Sequence, residues 1–219
     1  MSAIGPLKIF TFAVITSFFT VFAPVAAENA TNGAAASDAA SDKELAPLEI
    51  LAFGDSLTAG YGLPPGEGFT DQLQVWLSAH ISGDVKVTNA GVSGDTSSGG
   101  RSRLDWALSP IKNGQPDLVI LELGANDALR GVSPVLTREN MDAMVAVLAA
   151  RNIPVLIAGM KATPSWGPEY SVVFDGIFPD LSQKYNVPLY PFFLEGVAAN
   201  PALNQSDGLH QPKKVLQSL

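Results

Sequence analysis

Hydrophobic and polar positions repeat along the chain with two different periods, which separate predicted strands from predicted helices. Short apolar runs that end at Gly, Asn, Asp or Pro are typical of strands, and apolar residues three or four positions apart are typical of helices. The predicted strands are 48–53, 84–89, 117–123, 153–158 and 187–192. The predicted helices are 69–80, 96–108, 137–151 with Thr137 as its candidate N-cap, and one within 168–185.

Strands and helices alternate over this whole region, and that order determines the fold class. Alternation of this kind places parallel strands in one sheet with helices on its faces. The run 117–123 is apolar almost throughout, as expected for a strand covered on both faces. We therefore predict an α/β fold, a three-layer α/β/α sandwich around a five-stranded parallel sheet. Ligands bind at the carboxyl ends of such strands, so the loops that follow the first three strands are the ones to search for chemistry.

The amino-terminal segment has a different pattern. Lys8 precedes an apolar run over 9–22, which is too short for the roughly 20 residues that cross a bilayer. Small residues follow and end at Ala27. The segment 1–27 is therefore predicted to be a signal peptide cleaved after about Ala27, and an uncleaved membrane anchor is the alternative.

The next segment, 28–46, is rich in Ala, Ser and Asp and is predicted to be a disordered linker. The folded domain is then 47–219. With the signal peptide removed, we expect a periplasmic or secreted monomer with no transmembrane segment in the mature chain.

The composition of the chain excludes several classes of partner and site. The formal net charge is −8, which argues against a nucleic-acid partner. The chain has no Cys, which excludes disulfides, Cys-ligated metals and a Cys nucleophile. The histidines are His80 and His210, so a multi-His metal site is not expected and any His-dependent chemistry must use one of these two.

The loop after the first strand reads Gly54-Asp55-Ser56-Leu57-Thr58. A serine at the point where a strand turns into a helix presents its hydroxyl at the ligand crevice. Ser56 is therefore a candidate nucleophile. The alternative is that Asp55 or Ser56 only caps the following helix.

The loops after the second and third strands contain candidate hydrogen-bond donors for an oxyanion. Gly91 lets the backbone approach a ligand closely, so that its N–H can point into the crevice. The alternative is a loop that ends in a helix cap at Asp95 or Thr96. Asn126 offers two N–H donors without a charge, and its alternative role is an Asx-turn that closes the strand.

The segment Asp207-Gly208-Leu209-His210 lies near the end of the chain. A carboxylate at Asp207 can reach Nδ1–H of His210 and leave Nε2 to deprotonate a serine. The alternative is an Asp-Gly turn beside a surface histidine. His80 is the rival base, although a histidine at a predicted helix end interacts favourably with the helix dipole and needs no other role.

Together these segments resemble the GDSL or SGNH hydrolase family, whose four blocks carry Ser, Gly, Asn and His. Gly-Asp-Ser-Leu at 54–57 matches the first block and Asn-Ala-Gly at 89–91 the second. Gly-Ala-Asn-Asp at 124–127 matches the third block and Asp-Gly-Leu-His at 207–210 the fourth. The segments 94–96, 126–131 and 187–193 are similar to the thioesterase I/lysophospholipase L1/arylesterase branch.

This resemblance implies a flavodoxin-like fold and a serine ester hydrolase. Ser56 attacks the acyl carbon, His210 is its base and Asp207 orients that base. The oxyanion hole consists of the Ser56 N–H, the Gly91 N–H and the Asn126 side chain. An acyl-enzyme forms and water releases it, with neither metal nor organic cofactor.

The substrate is expected to be a small-molecule or lipid ester with an acyl or aryl group. Leu57, Leu129, Met160 and Trp166 lie in or near the crevice loops and are candidates for lining an acyl groove. Met160 and Trp166 are equally well interpreted as packing residues.

One departure from the family pattern keeps two other functions open. The family usually has Pro directly after the histidine and then a full closing helix, whereas Gln211 follows His210 here and the chain ends at Leu219. The carboxy-terminal helix is therefore expected to be short. The alternatives to an acyl or aryl esterase are a polysaccharide O-deacetylase of the same fold and a non-catalytic binding module or pseudoenzyme.

Overall fold

The computed structural model describes residues 46–198. Its strands are β1 Leu48–Gly54, β2 Val85–Gly91, β3 Leu118–Glu122, β4 Val155–Ala158 and β5 Leu189–Tyr190. Its α-helices are α1 Ser56–Ala59, α2 Phe69–His80, α3 Ser97–Leu108, α4 Ala125–Arg130, α5 Pro134–Ala150, α6 Gly167–Asp175 and α7 Ile177–Tyr185. Two short 3₁₀ segments, Lys112–Gly114 and Pro164–Trp166, complete the regular elements of this region.

The strands form one parallel sheet in the order β2-β1-β3-β4-β5. This order confirms the predicted α/β fold with a five-stranded parallel sheet, and it is the flavodoxin-like order. The direction of winding reverses between β1 and β3, which is where such sheets open a crevice at their carboxyl ends. The strands end in register there, because Gly54 of β1 pairs with Gly91 of β2 and with Glu122 of β3.

Apolar side chains cover both faces of the sheet. On one face, alternate residues of β1, β3 and β4 pack with α3, α5, α6 and α7 in a single cluster that includes Phe53, Leu121 and Phe178. The intervening strand residues are also buried, and α2 adds Leu73 and Leu77 outside that cluster. Burial on both faces explains why β1 and β3 read as continuous apolar runs.

Three predicted boundaries were wrong, each for a local reason. The helix predicted from Thr137 begins at Pro134, which suits a first helical position, and Thr137 is buried inside it rather than capping it. The single helix expected within 168–185 is two helices that meet at Gly176. The last strand is only Leu189–Tyr190, because prolines on both sides of this edge strand have no N–H to donate.

Several sequence predictions fall outside the described residues. These are the signal peptide 1–27, nearly all of the linker 28–46, and the segment that contains Asp207 and His210. Within 46–198, no helix is both long enough and apolar enough to span a membrane.

Candidate active site

Ser56 lies directly after the carboxyl end of β1, as the first residue of the short helix α1. Asp55 is the N-cap of this helix, and its Oδ1 accepts the Leu57 N–H at 3.0 Å. The helix ends at Gly60, whose left-handed conformation (φ 77°) favours glycine. The capping role is therefore confirmed for Asp55, and the same cap holds Ser56 at the edge of the crevice.

Two glycines mark the places where the backbone around this turn is most crowded. A Cβ atom on Gly54 would lie 2.2 Å from Thr58 Oγ1 and 2.5 Å from Glu122 Oε2. A Cβ atom on Gly91 would lie 2.2 Å from the backbone nitrogen of Ala59. The close approach that we expected of Gly91 toward a ligand is therefore made to the backbone of α1. Any side chain at either position would displace the turn that carries Ser56.

The Gly91 N–H donates to Asn89 Oδ1 at 2.9 Å in an exposed hydrogen bond. Asn89 is fixed in turn because its Nδ2 donates to Thr70 Oγ1 at 3.0 Å. An oxyanion bound at Gly91 must therefore replace a side-chain acceptor. The loop beyond Gly91 ends in a helix cap as the alternative predicted, since Thr96 accepts the Gly99 N–H.

Asn126 connects the loop after β3 to the loop after β1. It is the second residue of α4, which follows Gly124, and its Nδ2 donates to Asp55 Oδ2 at 3.1 Å. The amide nitrogen carries two hydrogens, so one N–H remains to be donated to a ligand. The structure therefore joins Asn126 and the Ser56 turn through one carboxylate.

Asp127, the next residue, is buried and anchors α4 to two other helices. It accepts the Ser97 N–H at 2.8 Å, the Ser97 hydroxyl at 2.5 Å and the Thr137 hydroxyl at 3.0 Å. Thr137 therefore serves this network instead of a helix cap. No role for Asp127 is predicted from the sequence, where its place beside Asn126 was the available signal.

Glu122 is a second buried carboxyl group that sequence reasoning missed. Its Oε2 accepts the Thr58 hydroxyl at 2.7 Å and the Asp55 N–H at 3.2 Å, while its Oε1 has no hydrogen-bond partner among residues 46–198. Burial, and then the charge of Asp55, raise the pKa of Glu122 well above the ordinary value for a glutamate, and the hydrogen bonds at Oε2 oppose this only in part. The available signal was one acidic residue within an otherwise apolar strand.

Arg103 on α3 was also missed, and it joins the ends of β1 and β2. Its guanidinium donates to the Gly54 carbonyl and to the Ala90 carbonyl, each at 2.9 Å. It also pairs with Asp95 at 2.7 Å and lies 4.1 Å from the centre of the Phe53 ring. The carbonyl groups bound by Arg103 belong to the peptides that lead into Asp55 and Gly91, so this one side chain fixes both crevice loops.

The candidate substrate-binding residues differ in their exposure. Leu57 is half-buried against the core, while Leu129 is 41% exposed and Trp166 is 47% exposed. Trp166 is held against α4, because its Nε1 donates to the Ala128 carbonyl at 2.6 Å. Met160 is 2% exposed and lies in the core cluster, as the packing interpretation predicted. It offers almost no surface to a substrate.

His80 lies at the other end of the sheet from Ser56. It ends α2, β2 begins shortly after it at Val85, and its ring stacks on Trp76 with centroids 4.2 Å apart. Ser56 follows the opposite end of β1, a seven-residue strand, which at 3.3 Å per residue spans about 20 Å. His80 is therefore too far away to deprotonate Ser56. Across residues 46–198 no group of three acidic or histidine side chains has the geometry of a metal site.

Comparison with known proteins gives the family. The model of the GDSL-like lipase/acylhydrolase family matches residues 52–212. The chain belongs to this family and is an ester hydrolase. It is 38% identical over 168 residues to "Esterase TesA" of Pseudomonas aeruginosa, covering 77% of this chain and 82% of that protein.

Two further comparisons agree with this assignment. The chain is 36% identical over 162 residues to "Thioesterase 1/protease 1/lysophospholipase L1" of Escherichia coli, covering 74% of each chain. The crystal structure of AlinE4, an SGNH-hydrolase family esterase, superposes with a TM-score of 0.70 at 46% identity, covering 74% of this chain and 84% of that one. The resemblance inferred from the four sequence blocks is confirmed.

Proposed function

We propose that this chain is an exported serine ester hydrolase that forms an acyl-enzyme on Ser56. The observation that carries the proposal is the arrangement at the crevice between β1 and β3. Ser56 begins α1 there, and the Asn126 amide is bound to the cap of the same helix through Asp55. The nucleophile and an uncharged donor for the oxyanion thus belong to one hydrogen-bonded unit.

In the first half of the reaction, Ser56 Oγ attacks the carbonyl carbon of the ester as His210 takes the hydroxyl proton. Asp207 orients His210, and both assignments rest on the match of 207–210 to the family's fourth block. The tetrahedral intermediate collapses, His210 gives the proton to the leaving group, and the acyl group stays on Ser56. Water activated by His210 then attacks this ester and restores the free serine.

The oxyanion accepts hydrogen bonds from the Ser56 N–H, the Gly91 N–H and the Asn126 amide. One such donor typically lowers the barrier by about 2.7–4 kcal/mol. The Gly91 N–H must first leave Asn89 Oδ1, so one acceptor is exchanged for another. Because the developing charge is the stronger acceptor, this exchange favours the transition state over the ground state.

The substrate class is an acyl or aryl ester with an apolar acyl part, either a small molecule or a lipid. The support is the exposed apolar surface of Leu129 and Trp166, which lie on adjoining parts of the structure, with Leu57 on α1 as a third lining residue. The names of the relatives point to the same class of substrate.

Export is the other part of the proposal. It rests on the pattern of 1–27, which is that of a signal peptide cleaved after about Ala27, and on the linker composition of 28–46. Expression of the full chain in a bacterial host followed by amino-terminal sequencing of the periplasmic protein tests it. A mature end near Glu28 is expected, and retention of the intact amino terminus in the membrane fraction would contradict it. Light scattering of the mature protein is expected to show a monomer.

The activity is tested by hydrolysis of p-nitrophenyl esters from acetyl to palmitoyl, with the mature protein, S56A and the control S78A. Ser78 is an exposed serine on α2. We expect S56A to lose activity by about 1,000-fold or more and S78A to keep it. Activity restricted to acetyl esters would favour the deacetylase instead. A folded protein that is inert on every ester would favour the binding module.

A further inference from the structure

Glu122 is a fully buried acidic residue at the carboxyl end of β3. Burying a carboxyl group is costly unless both of its oxygens find partners. Within the part of the chain that the structure describes, only one of them does so, because Oε2 accepts two hydrogen bonds and Oε1 accepts none. The chemistry proposed for Ser56 does not use this group, so its presence in the middle of the sheet calls for another explanation.

The donors to Glu122 lie on both sides of the proposed nucleophile. The Asp55 N–H precedes Ser56 in the chain and the Thr58 hydroxyl follows it, and both converge on the single oxygen Oε2. The strand register places Gly54 beside Glu122, and Gly54 has no Cβ that would separate the carboxyl group from the turn. The Glu122 side chain, on a central strand of the sheet, thus binds the turn that contains Ser56.

The same contacts reach the proposed oxyanion hole. Asp55 is bound to Glu122 through its backbone and to Asn126 through its side chain, at 3.2 Å and 3.1 Å respectively. A displacement of Asp55 therefore moves the nucleophile and the Asn126 amide together. Misplacement of a reacting group by about 1 Å can lower a rate by roughly 100-fold.

We propose that Glu122 is a positioning residue for ester hydrolysis, which holds the residues on both sides of Ser56 through one carboxyl oxygen and thereby aligns Ser56 with Asn126. The assignment rests on the proposed function of Ser56. Glu122 itself touches no substrate and transfers no proton to it.

The uncharged form of the carboxyl group suits this role. The acidic group beside it is Asp55, the N-cap of α1. Arg103 on α3, which binds the carbonyl of the neighbouring Gly54, is already paired with Asp95. Ionisation of Glu122 would place a second buried negative charge beside Asp55, since burial and the charge of Asp55 both raise the pKa of Glu122. We expect the turn to loosen when Glu122 ionises.

The experiment compares E122Q and E122M with E139Q and E139M, since Glu139 is an exposed glutamate on α5. A fluorophosphonate probe counts the reactive serines in each sample, and kcat and KM for a p-nitrophenyl ester are divided by that count. We expect E122M to lose about 10–100-fold in kcat with KM changed less than threefold, because Thr58 and the Asp55 N–H lose their acceptor. The amide of E122Q can accept both bonds and should restore kcat to within about threefold of the parent, as should both Glu139 variants.

The pH dependence of kcat and Tm tests this role, because a residue that acted only through packing would not change it. A carboxyl pKa that is raised by folding means that the folded protein binds more protons than the unfolded chain between the two pKa values. Stability is therefore lost as the pH rises through this window, and kcat falls as Glu122 ionises. E122Q has no such group, so its kcat and its Tm should hold at high pH where those of the parent decline, and the gap in Tm should widen from pH 5 upward.

Turnover by E122M at the parental rate per labelled serine would overturn the proposal. If E122M does not fold, the decision falls to E122Q, and pH profiles of kcat and Tm that coincide with those of the parent would overturn it. S56A is measured alongside to separate the two claims. An active S56A would overturn the function of Ser56 and this inference together, whereas an inactive S56A with a parental E122M would overturn the role of Glu122 alone.

Discussion

Glu122 and Asp127 are buried carboxyl groups on either side of the same loop, yet their surroundings differ. Asp127 accepts hydrogen bonds on both oxygens from Ser97 and Thr137, which join three helices. Glu122 has one oxygen that no described residue binds, and another acid, Asp55, lies beside it. Asp127 thus has the environment of a structural anchor, while Glu122 sits in an unfavourable one.

The difference shows where this fold tolerates an energetic cost. Buried polar groups are nearly always satisfied, so an exception needs a reason. The exception here is bound to the residues on either side of Ser56, the proposed nucleophile, whereas the satisfied network joins three helices. Local unfavourable arrangements tend to concentrate at functional sites. The comparison therefore divides the loop after β3 into a part that serves chemistry and a part that serves stability.

Asn126 and Asp127 are adjacent in the chain, so substitutions there distinguish most sharply between loss of catalysis and loss of stability. N126A removes the proposed oxyanion donor, and we expect kcat to fall by about 100- to 1,000-fold, or about 2.7–4 kcal/mol in the barrier. Its Tm should change little, because one bond to Asp55 is lost and the rest of the turn remains. Steady-state kinetics and thermal melting measure these two effects. An N126A enzyme with a lowered Tm and a parental kcat would show that Asn126 serves stability rather than catalysis.

D127A should have the complementary effect. It leaves the Ser97 N–H and the Ser97 hydroxyl without their acceptor, and it leaves the Thr137 hydroxyl only its longer bond to the Ser133 carbonyl at 3.4 Å. We therefore expect the free energy of unfolding to fall by about 3 kcal/mol. For a protein of this size, that loss lowers Tm by roughly 6–12 °C. The control is D105A, which removes an exposed acid and should change stability by less than about 0.5 kcal/mol. Chemical denaturation of both variants is the measurement, and equal stability of D127A and D105A would refute the anchor role.

Arg103 is expected to serve both catalysis and stability, because it binds the ends of β1 and β2 and also pairs with Asp95. R103Q should lower the free energy of unfolding by about 2 kcal/mol, since two part-buried carbonyls lose a charged donor. It should also lower kcat per labelled serine by about tenfold, because both crevice loops shift. R103K keeps the charge but cannot reach all three acceptors, so an intermediate result is expected. An R103Q enzyme with full activity per labelled serine would show that the loops are held by other contacts.

Substitution of Trp166 is expected to have the smallest effect, and that effect is on substrate binding alone. W166A removes half-exposed apolar surface beside α4, and we expect KM for long acyl esters to rise about fivefold, or about 1 kcal/mol. KM for acetyl esters should not change. V172A, which truncates a 74% exposed residue on α6, is the control. A uniform rise in KM over all chain lengths would point to a disturbed α4 rather than to a lost acyl contact.

The sequence predicted the sheet, its parallel strands and most of the helices, because these follow from apolar periodicity. It also placed Ser56, Gly91 and Asn126 at strand ends, which the structure brings to one edge of the sheet. Prediction from the sequence failed where a side chain binds a partner that is distant in the chain. Glu122 and Thr58 are far apart in the chain, as are Arg103 and Gly54, and no local pattern reports such pairs.

The candidate lining residues show the same limit. Met160 and Trp166 were equivalent in the sequence, since both follow the fourth strand and both are apolar. Packing separates them, because Met160 enters the core while the Trp166 indole N–H finds the Ala128 carbonyl and leaves its ring half-exposed. Thr137 was predicted to cap its helix, whereas its hydroxyl donates to Asp127 from within that helix.

The most direct test of the account is covalent labelling of the mature protein with a fluorophosphonate, followed by peptide mass spectrometry. We expect one adduct per molecule, located on Ser56, with ester hydrolysis lost in proportion to labelling. An adduct on another residue, or full hydrolysis after complete labelling of Ser56, would contradict it.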